Sequence, residues 1–422
     1  MALIDFFLRR AVKRGTLALI RPGIPPATFG TPDPALPEVT LRFADGGVQR
    51  AIARHPTLAS GEMYMSGRMT IDGDDVLGLV RLLTANSPWE RGADNLEPSP
   101  ARRMLGAVKH RIDRINMERR SHRNVAHHYD LSDRLYALFL DEDRQYSCAY
   151  YRDPADTLET AQHAKKAHIA AKLAIGPGMR VLDIGCGWGG MALYLHRATG
   201  AEVLGVTLSQ EQLKVARARA EAAGVADKVR FELIDYRRID RDRDGRFDRI
   251  VSIGMFEHVG PPQYRAFFRR AHDLLADDGV MLLHTIGRLG GPGVTDDFTA
   301  KYIFPGGYNP ALSEIVRASE PTRLFLTDVE VLRLHYSYTL LEWYGRTVRA
   351  RDQIVALYDE RFYRMWTWYL AGAAMAFENG SLCNYQLQYS KGRRTLPIVR
   401  DYMETGERRL GADIVSAAPP AA

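Results

Sequence analysis

From about Ser121 onward, short runs of apolar and β-branched residues alternate with longer segments whose apolar positions recur at helical spacing. The short runs, Arg180–Ile184, Glu202–Thr207, Val229–Ile234, Phe247–Ile253 and Gly279–Thr285, predict strands. The segments between them, such as Ser209–Ala223 and Pro262–Leu275, predict amphipathic helices. Strands and helices in strict alternation need crossover connections. The expected class is therefore α/β, a doubly wound, Rossmann-like and mostly parallel sheet with ligands bound at the carboxyl ends of its strands. The preceding part of the chain reads differently. Proline and glycine punctuate Arg21 to Pro37, and Val39 to Leu83 mixes one strand-like run, Val39–Phe43, with helical patterns, as expected of a smaller α+β domain. The expected division is 1–95 for this domain, 96–120 for a linker helix, 121–401 for the large domain and 402–422 for a tail. Only Ala417–Ala422 looks low in complexity, and it is expected to be disordered.

Charge sharpens the picture through its position. Between Ala101 and Val125, eight basic residues (Arg102, Arg103, Lys109, Arg111, Arg114, Arg119, Arg120, Arg123) face only Asp113 and Glu118, so this segment matches the +6 formal excess of all 422 residues. It would attract a polyanion, either nucleic acid or an anionic membrane surface, unless it is simply a solvated helix face. At the start of the chain Leu3, Ile4, Phe7, Leu8 and Ala11 can share one helical face while Arg9, Arg10, Lys13 and Arg14 lie mostly off it, which favours lipid. A core-packed helix is the plainer alternative. No apolar stretch is long enough to span a bilayer, Tyr369–Phe377 being too short. Cys148, Cys186 and Cys383 lack metal-ligand spacing, which leaves neither a zinc site nor a disulfide framework and fits a reducing cytosol. In M-A-L-I-D-F-F-L-R-R the apolar run precedes the arginines, the wrong order for a secretory signal, so an intracellular protein is expected.

The richest stretch chemically is V-L-D-I-G-C-G-W-G-G, Val181 to Gly190. Asp183 stands at the end of a predicted strand, and Gly185, Gly187 and Gly189 follow at alternate positions, which lets backbone approach a ligand and turn into a helix. The spacing D-x-G-x-G-x-G differs from the dinucleotide fingerprint. An acid at the loop mouth would repel a phosphate but suit a cation, such as the amino group and sulfonium of S-adenosylmethionine. The later strand ends add Thr207, Ser209 and Gln212, then Asp235 and Tyr236, then Ile253 to His258. One nucleoside-sized ligand could touch them all. Taken singly, a residue such as Ser209 before Glu211 and Gln212 is as well explained as a helix cap. Glu257 has the strongest individual case, since a carboxylate after I-V-S-I-G-M-F is costly to bury without a functional partner. Alternation turns His258 to the opposite side, where it reads as structural.

Several blocks together resemble the cyclopropane fatty acid synthases: Y-S-C-A-Y (Tyr146–Tyr150), the glycine loop, G-V-T-L-S-Q-E-Q (Gly205–Gln212), G-M-F-E-H-V-G (Gly254–Gly260), L-L-H-T-I-G (Leu282–Gly287), K-Y-I-F-P-G-G (Lys301–Gly307) and H-Y-S-Y-T-L-L-E-W (His335–Trp343). The resemblance runs from about Arg123 to Lys391. It implies an S-adenosylmethionine-dependent methyltransferase acting on unsaturated acyl chains of membrane phospholipids. Tyr146 and Ser147 join the implied cofactor set, and the small domain becomes an implied lipid-associated one. The mycolic acid cyclopropane synthases share the catalytic domain without it. The resemblance further implies that a bound bicarbonate removes the proton that closes the ring, held by residues matching Cys148, Glu257, His284, Ile286 and Tyr336. Tyr308 or Phe304 could stabilise the acyl cation through their rings. No metal is expected.

Two departures from the family pattern bear on the product: Ser132, Asp133 and Arg134 after H-Y-D, and Tyr308, Asn309 and Pro310 after K-Y-I-F-P-G-G. They leave open a C-methyltransferase that yields methyl-branched or methylene chains. The basic segment keeps a nucleic-acid methyltransferase in view, although F-E-H stands where an N-P-P-type signature would bind a flipped base. A catalytically inert lipid-binding protein is a further alternative. The expected setting is the inner membrane face, approached from the cytoplasm by a homodimer, with phospholipid and no nucleic acid as partner.

Overall fold

The computed structural model describes residues 3–92 and 132–416, so the basic segment 101–125 and the end of the tail, 417–422, lie outside the described residues. The chain divides into two compact units, one of Met1–His110, Val294–Pro305 and Ser337–Leu382, the other of Arg111–Gly293, Gly306–Tyr336 and Cys383–Ala422. This division is not linear in sequence, unlike the one expected from patterning. Periodicity shows that a helix has an apolar face but not which partner covers it, and the helix Glu360–Glu378 packs on the helices Pro56–Met65 and Val76–Ala85.

The first unit holds the strands β1 (Thr16–Arg21), β2 (Ile24–Phe29), β3 (Glu38–Phe43) and β4 (Met69–Ile71), ordered β2-β1-β3-β4. The predicted run Val39–Phe43 lies in β3, which pairs parallel with β1. Along β1 the inward positions are Leu17, Leu19 and Arg21, and Arg21 pairs with Asp5 at 2.7 Å. That ion pair ties down the helix Leu3–Ala11, which forms as expected but turns differently. Ile4 and Ala11 face the core with Leu8 against it, while Leu3, Phe6 and Phe7 are 60%, 50% and 43% exposed. The shared face read from spacing is therefore split by the anchor at Asp5.

The second unit is built on β5 (Arg180–Ile184), β6 (Glu202–Thr207), β7 (Val229–Leu233), β8 (Phe247–Ile253), β9 (Leu275–Arg288), β10 (Phe325–Leu332) and β11 (Leu382–Ser390). They form one seven-stranded sheet, β10-β11-β9-β8-β5-β6-β7. Strands β5 to β9 pair parallel, as the alternating pattern required. The order departs in both directions from β5, with β6 on one side and β8 on the other, which makes a crevice at the carboxyl ends of these two strands. The antiparallel pair β10 and β11 extends the sheet beyond the predicted strands. In β11, L-C-N-Y-Q-L-Q-Y-S, amide side chains occupy alternate positions of an almost wholly buried strand, so its polar residues do not mark a solvent face. The segment read as a tail forms a helix, Asp401–Ser416, packed on the helix Leu158–Lys172. Close approach is possible because Gly406 has no Cβ; one placed there would lie 3.2 Å from that of Ala171.

Candidate active site

The glycine loop leaves β5 through left-handed backbone at Gly185 (φ 83°), Gly187 (φ 54°) and Gly189 (φ 83°), conformations that L side chains rarely adopt. The amides of Gly185 and Cys186 both donate to the Val206 carbonyl, at 2.9 and 3.1 Å, fixing the turn against β6. The result is a cleft of about 1170 Å³, counting open space at its mouth, which is ample for a nucleoside-sized ligand. Tyr146, Ser147, Asp183, Gly185, Gly187, Thr207, Gln212, Asp235, Tyr236 and Ile253 line it. Gly189 and Ser209 do not. A Cβ on Gly189 would sit 2.7 Å from the Phe231 ring and 3.0 Å from Ala216, so that glycine serves the packing of the loop. Ser209 caps the helix Gln210–Ala222 by accepting from the Gln212 amide.

The lining groups differ in what they have left to offer. Asp183 is buried, and its Oδ2 has no hydrogen-bond partner. Burial pushes its carboxyl up to about 7. Thr207 donates to Gln212 Oε1 at 3.0 Å, while Asp235 accepts from the Arg237 amide and from its guanidinium Nε at 2.8 Å. An unpartnered carboxylate oxygen beside a glycine cradle suits a ligand that is cationic and nucleoside-like, which fits S-adenosylmethionine. His258 also lines the cleft, and burial pulls its imidazole down to about 4, keeping it neutral.

A second polar group lies one step along the same strand ends. Ile253 pairs in register with His284 on β9, and the Gly254 amide donates to the His284 carbonyl at 2.9 Å. Beyond this the chain enters a short helical turn, Phe256–His258, that buries Glu257. Glu257 Oε1 accepts from the Ile286 amide at 2.6 Å, and its Oε2 has no partner. Burial pushes this carboxyl, too, up to about 7. The Tyr308 amide donates to the Glu257 carbonyl at 2.9 Å, and the Tyr308 hydroxyl is bound to Glu314.

His284 is held by β11, with Nε2 2.6 Å from the Asn384 side-chain amide and Nδ1 3.2 Å from that of Gln386. A neutral imidazole donates through one nitrogen and accepts through the other, so one of these amides must turn its oxygen toward the ring. Burial keeps the ring neutral. Cys148 is buried, its thiol pushed well up by burial, with Sγ 3.3 Å from the Ala149 carbonyl. Tyr336 follows His335, which accepts from the Tyr151 amide at 3.0 Å and stacks on Tyr150 at 5.0 Å. Glu257, His284 and Ile286 thus cluster at one set of strand ends, and the segments carrying Cys148 and Tyr336 meet through Tyr150, Tyr151 and His335.

The residues that departed from the family pattern also have work here. Ser132 caps the helix Asp133–Phe139, and Asp133 accepts from Trp188 Nε1 of the glycine loop at 3.1 Å. Reading the sequence missed Trp188, Gln145, Asn384 and Gln386. For the last two the available signal was the alternation of amides in β11. Among the described residues no group of three or more His, Cys, Asp or Glu side chains could hold a metal ion, and no helix is long and apolar enough to cross a membrane.

A seven-stranded sheet with this cleft defines an S-adenosylmethionine-dependent methyltransferase fold. Residues 116–387 match the family model described as mycolic acid cyclopropane synthetase. The chain is 41% identical over 360 residues to a probable fatty acid methyltransferase of Pseudomonas putida, covering 83% of this chain and 87% of that one. It is 39% identical over 352 residues to the cyclopropane-fatty-acyl-phospholipid synthase of Escherichia coli K12, covering 83% and 88%. Among solved structures it is similar to a mycolic acid cyclopropane synthase complexed with SAH and CTAB, with a TM-score of 0.60, 36% identity, and coverage of 64% of this chain and 98% of that one. The chain belongs to the mycolic acid cyclopropane synthetase family of S-adenosylmethionine-dependent methyltransferases, enzymes that modify lipid acyl chains.

Proposed function

We propose that this enzyme adds a one-carbon unit to the cis double bond of unsaturated acyl chains in membrane phospholipids and closes it to a cyclopropane ring. The observation that carries the proposal is the buried Glu257, whose unpartnered Oε2 lies a few residues beyond the cofactor-lining Ile253. When bound, S-adenosylmethionine supplies an electrophilic methyl group. Asp183 would face its positive charge, with Thr207, Gln212, Asp235 and Tyr236 around the nucleoside and Tyr146 and Ser147 closing the cleft. An alkene is a weak nucleophile, so the site contributes mainly by alignment and by exclusion of water. The base expected for ring closure is bicarbonate, held by Cys148, Glu257, His284, Ile286 and Tyr336. Its fit rests on Glu257 Oε2, an acceptor without a protein donor. The Ile286 amide and His284, now engaged by Glu257, Asn384 and Gln386, would have to share their hydrogen bonds with the anion.

Docking on an anionic leaflet from the cytoplasmic side, and homodimerisation, belong to the same proposal. Support for docking comes from the exposed Leu3, Phe6 and Phe7 beside Arg9 and Arg10. A second reading, methyl branching without ring closure, is favoured by the likeness to a probable fatty acid methyltransferase. One experiment separates them: incubate the enzyme with S-adenosylmethionine and vesicles of cis-monounsaturated phospholipid, with and without bicarbonate, and record the acyl chains by mass and proton NMR. Bicarbonate-dependent gain of CH₂ with upfield ring protons is expected. Methyl-branch or vinyl signals would replace the first reading by the second, and no gain would overturn both.

A further inference from the structure

The helix Leu158–Lys172 carries a lysine that neither the cofactor set nor the proposed anion set accounts for. Lys165 is fully buried, and its ammonium donates to Gln145 Oε1 and to Ser147 Oγ, each at 2.9 Å. One turn earlier, Gln162 Nε2 donates to the main-chain carbonyls of the same two residues, at 3.2 and 3.0 Å. Gln145 and Ser147 both line the cofactor cleft. The helix therefore grips this short segment by backbone and by side chain together. A buried lysine is a costly way to satisfy two neutral acceptors, which a glutamine could serve, so its charge needs a reason.

We propose that Lys165 is a positioning residue for methyl transfer: it clamps Gln145 and Ser147 over the cleft and supplies the positive charge that faces Asp183. The inference rests on the reading that this cleft holds the cationic cofactor. Asp183 can attract that cation only as a carboxylate, and burial works against ionisation; Lys165 is the charge that opposes burial there. Burial pulls the Lys165 ammonium down to about 8, so it carries its charge at pH 7 and loses it toward pH 9; the charges acting on it are Asp141 first, then Lys166 of its own helix, Cys148 and Asp143, while His284 on β9 feels its charge in turn. Asp141 is committed to the amides of Asp143 and Gln145, and Asp143 to Lys166 and Arg219. Lys165 thus shares its charge between Asp141, its strongest charge partner, and Asp183 in the cleft, while its two hydrogen bonds go to the cleft-lining Gln145 and Ser147.

The test is Lys165→Met in the full chain, with kcat and KM for S-adenosylmethionine measured from pH 6 to 9 on vesicles and folding checked by thermal melt. KM for S-adenosylmethionine should rise roughly tenfold at pH 7, with a smaller loss in kcat, and the acid limb of kcat/KM should move up by about one pH unit. Raising the pH should recover part of the lost affinity. An unmoved limb with unchanged KM, or a loss of kcat equal at every pH, would overturn the proposal. Gln145→Leu removes an acceptor and leaves the charge, so it should raise KM without moving the limb. If Lys165→Met does not fold, an unaltered KM in Gln145→Leu overturns the clamp. Failure of the wild-type protein to bind S-adenosylmethionine would instead sink the cofactor reading.

Discussion

The cofactor cleft and the polar group around Glu257 each bury a carboxyl that stays protonated up to about pH 7, each with one oxygen unpartnered, yet they are built in opposite ways. Asp183 is the penultimate residue of β5, directly before a loop whose shape comes from its own glycines. Glu257 and His284 depend on distant segments: Ile286 on β9, and Asn384 and Gln386 on β11, the last two about 100 residues away. Local geometry thus serves binding, and long-range assembly serves the step beyond binding. The two carboxyls should therefore fail in different kinetic parameters.

The sharpest test of that division is Glu257→Ala. With the acid removed, kcat on unsaturated phospholipid should fall by roughly 10²–10⁴, the range for loss of a group acting in proton transfer, while affinity for S-adenosylmethionine stays within about twofold. Isothermal titration with S-adenosylhomocysteine alongside the vesicle assay reads both. A large loss of cofactor affinity would merge the two regions into one. Asp183→Asn should do the reverse, raising KM for S-adenosylmethionine by about 100-fold, the scale of a lost buried charge contact, with a lesser change in kcat. A kcat defect without a KM defect would assign Asp183 to chemistry.

The same contrast explains what could be read from sequence. Strands β5, β6 and β8 were legible to the residue, because β-branched runs bounded by glycine and turn residues are local signals. So were ten of the twelve expected cofactor residues as lining of the cleft; Gly189 and Ser209 do local packing and capping at the same turns. In contrast, β11 carries amides at Asn384, Gln386 and Gln388, which lower strand and burial expectations unless their partners are known. Those partners are His284 and the Lys172 carbonyl, and no spacing rule links them. The return of 337–382 to the first unit was hidden for the same reason: an apolar helical face does not name its mate.

A smaller effect should come from the support of His284. Gln386→Leu removes one of the two side chains that hold the imidazole and leaves Asn384 in place. Loss of a positioning hydrogen bond of this kind should lower kcat by about tenfold without changing KM for S-adenosylmethionine. Wild-type kcat in this variant would show that Asn384 alone fixes the ring, and the long-range half of the comparison would weaken accordingly.

The smallest effect separates the two carboxyls by pH. Each has a folded pKa near 7, above its value in the unfolded chain near 4. Between those values the folded state holds a proton that the unfolded state has released, so stability is fully present below about pH 4 and declines as pH rises to about 7. For Glu257 the rise of its carboxyl from 4.5 to about 7 corresponds to about 3 kcal/mol. In Glu257→Gln, denaturant melts should show a flatter pH dependence, although the buried amide's own unpartnered donor offsets the gain in absolute stability. Saturating S-adenosylmethionine should restore more stability near pH 8 than near pH 6, through Asp183 alone, since a bound cation favours its carboxylate. The excess of that recovery at pH 8 over pH 6 should persist in Glu257→Gln and disappear in Asp183→Asn, where saturating cofactor should stabilise the fold equally at both pH values. An equal excess in both variants would mean that the cofactor's charge is met elsewhere in the cleft, and that the loop acid matters for shape rather than for attraction.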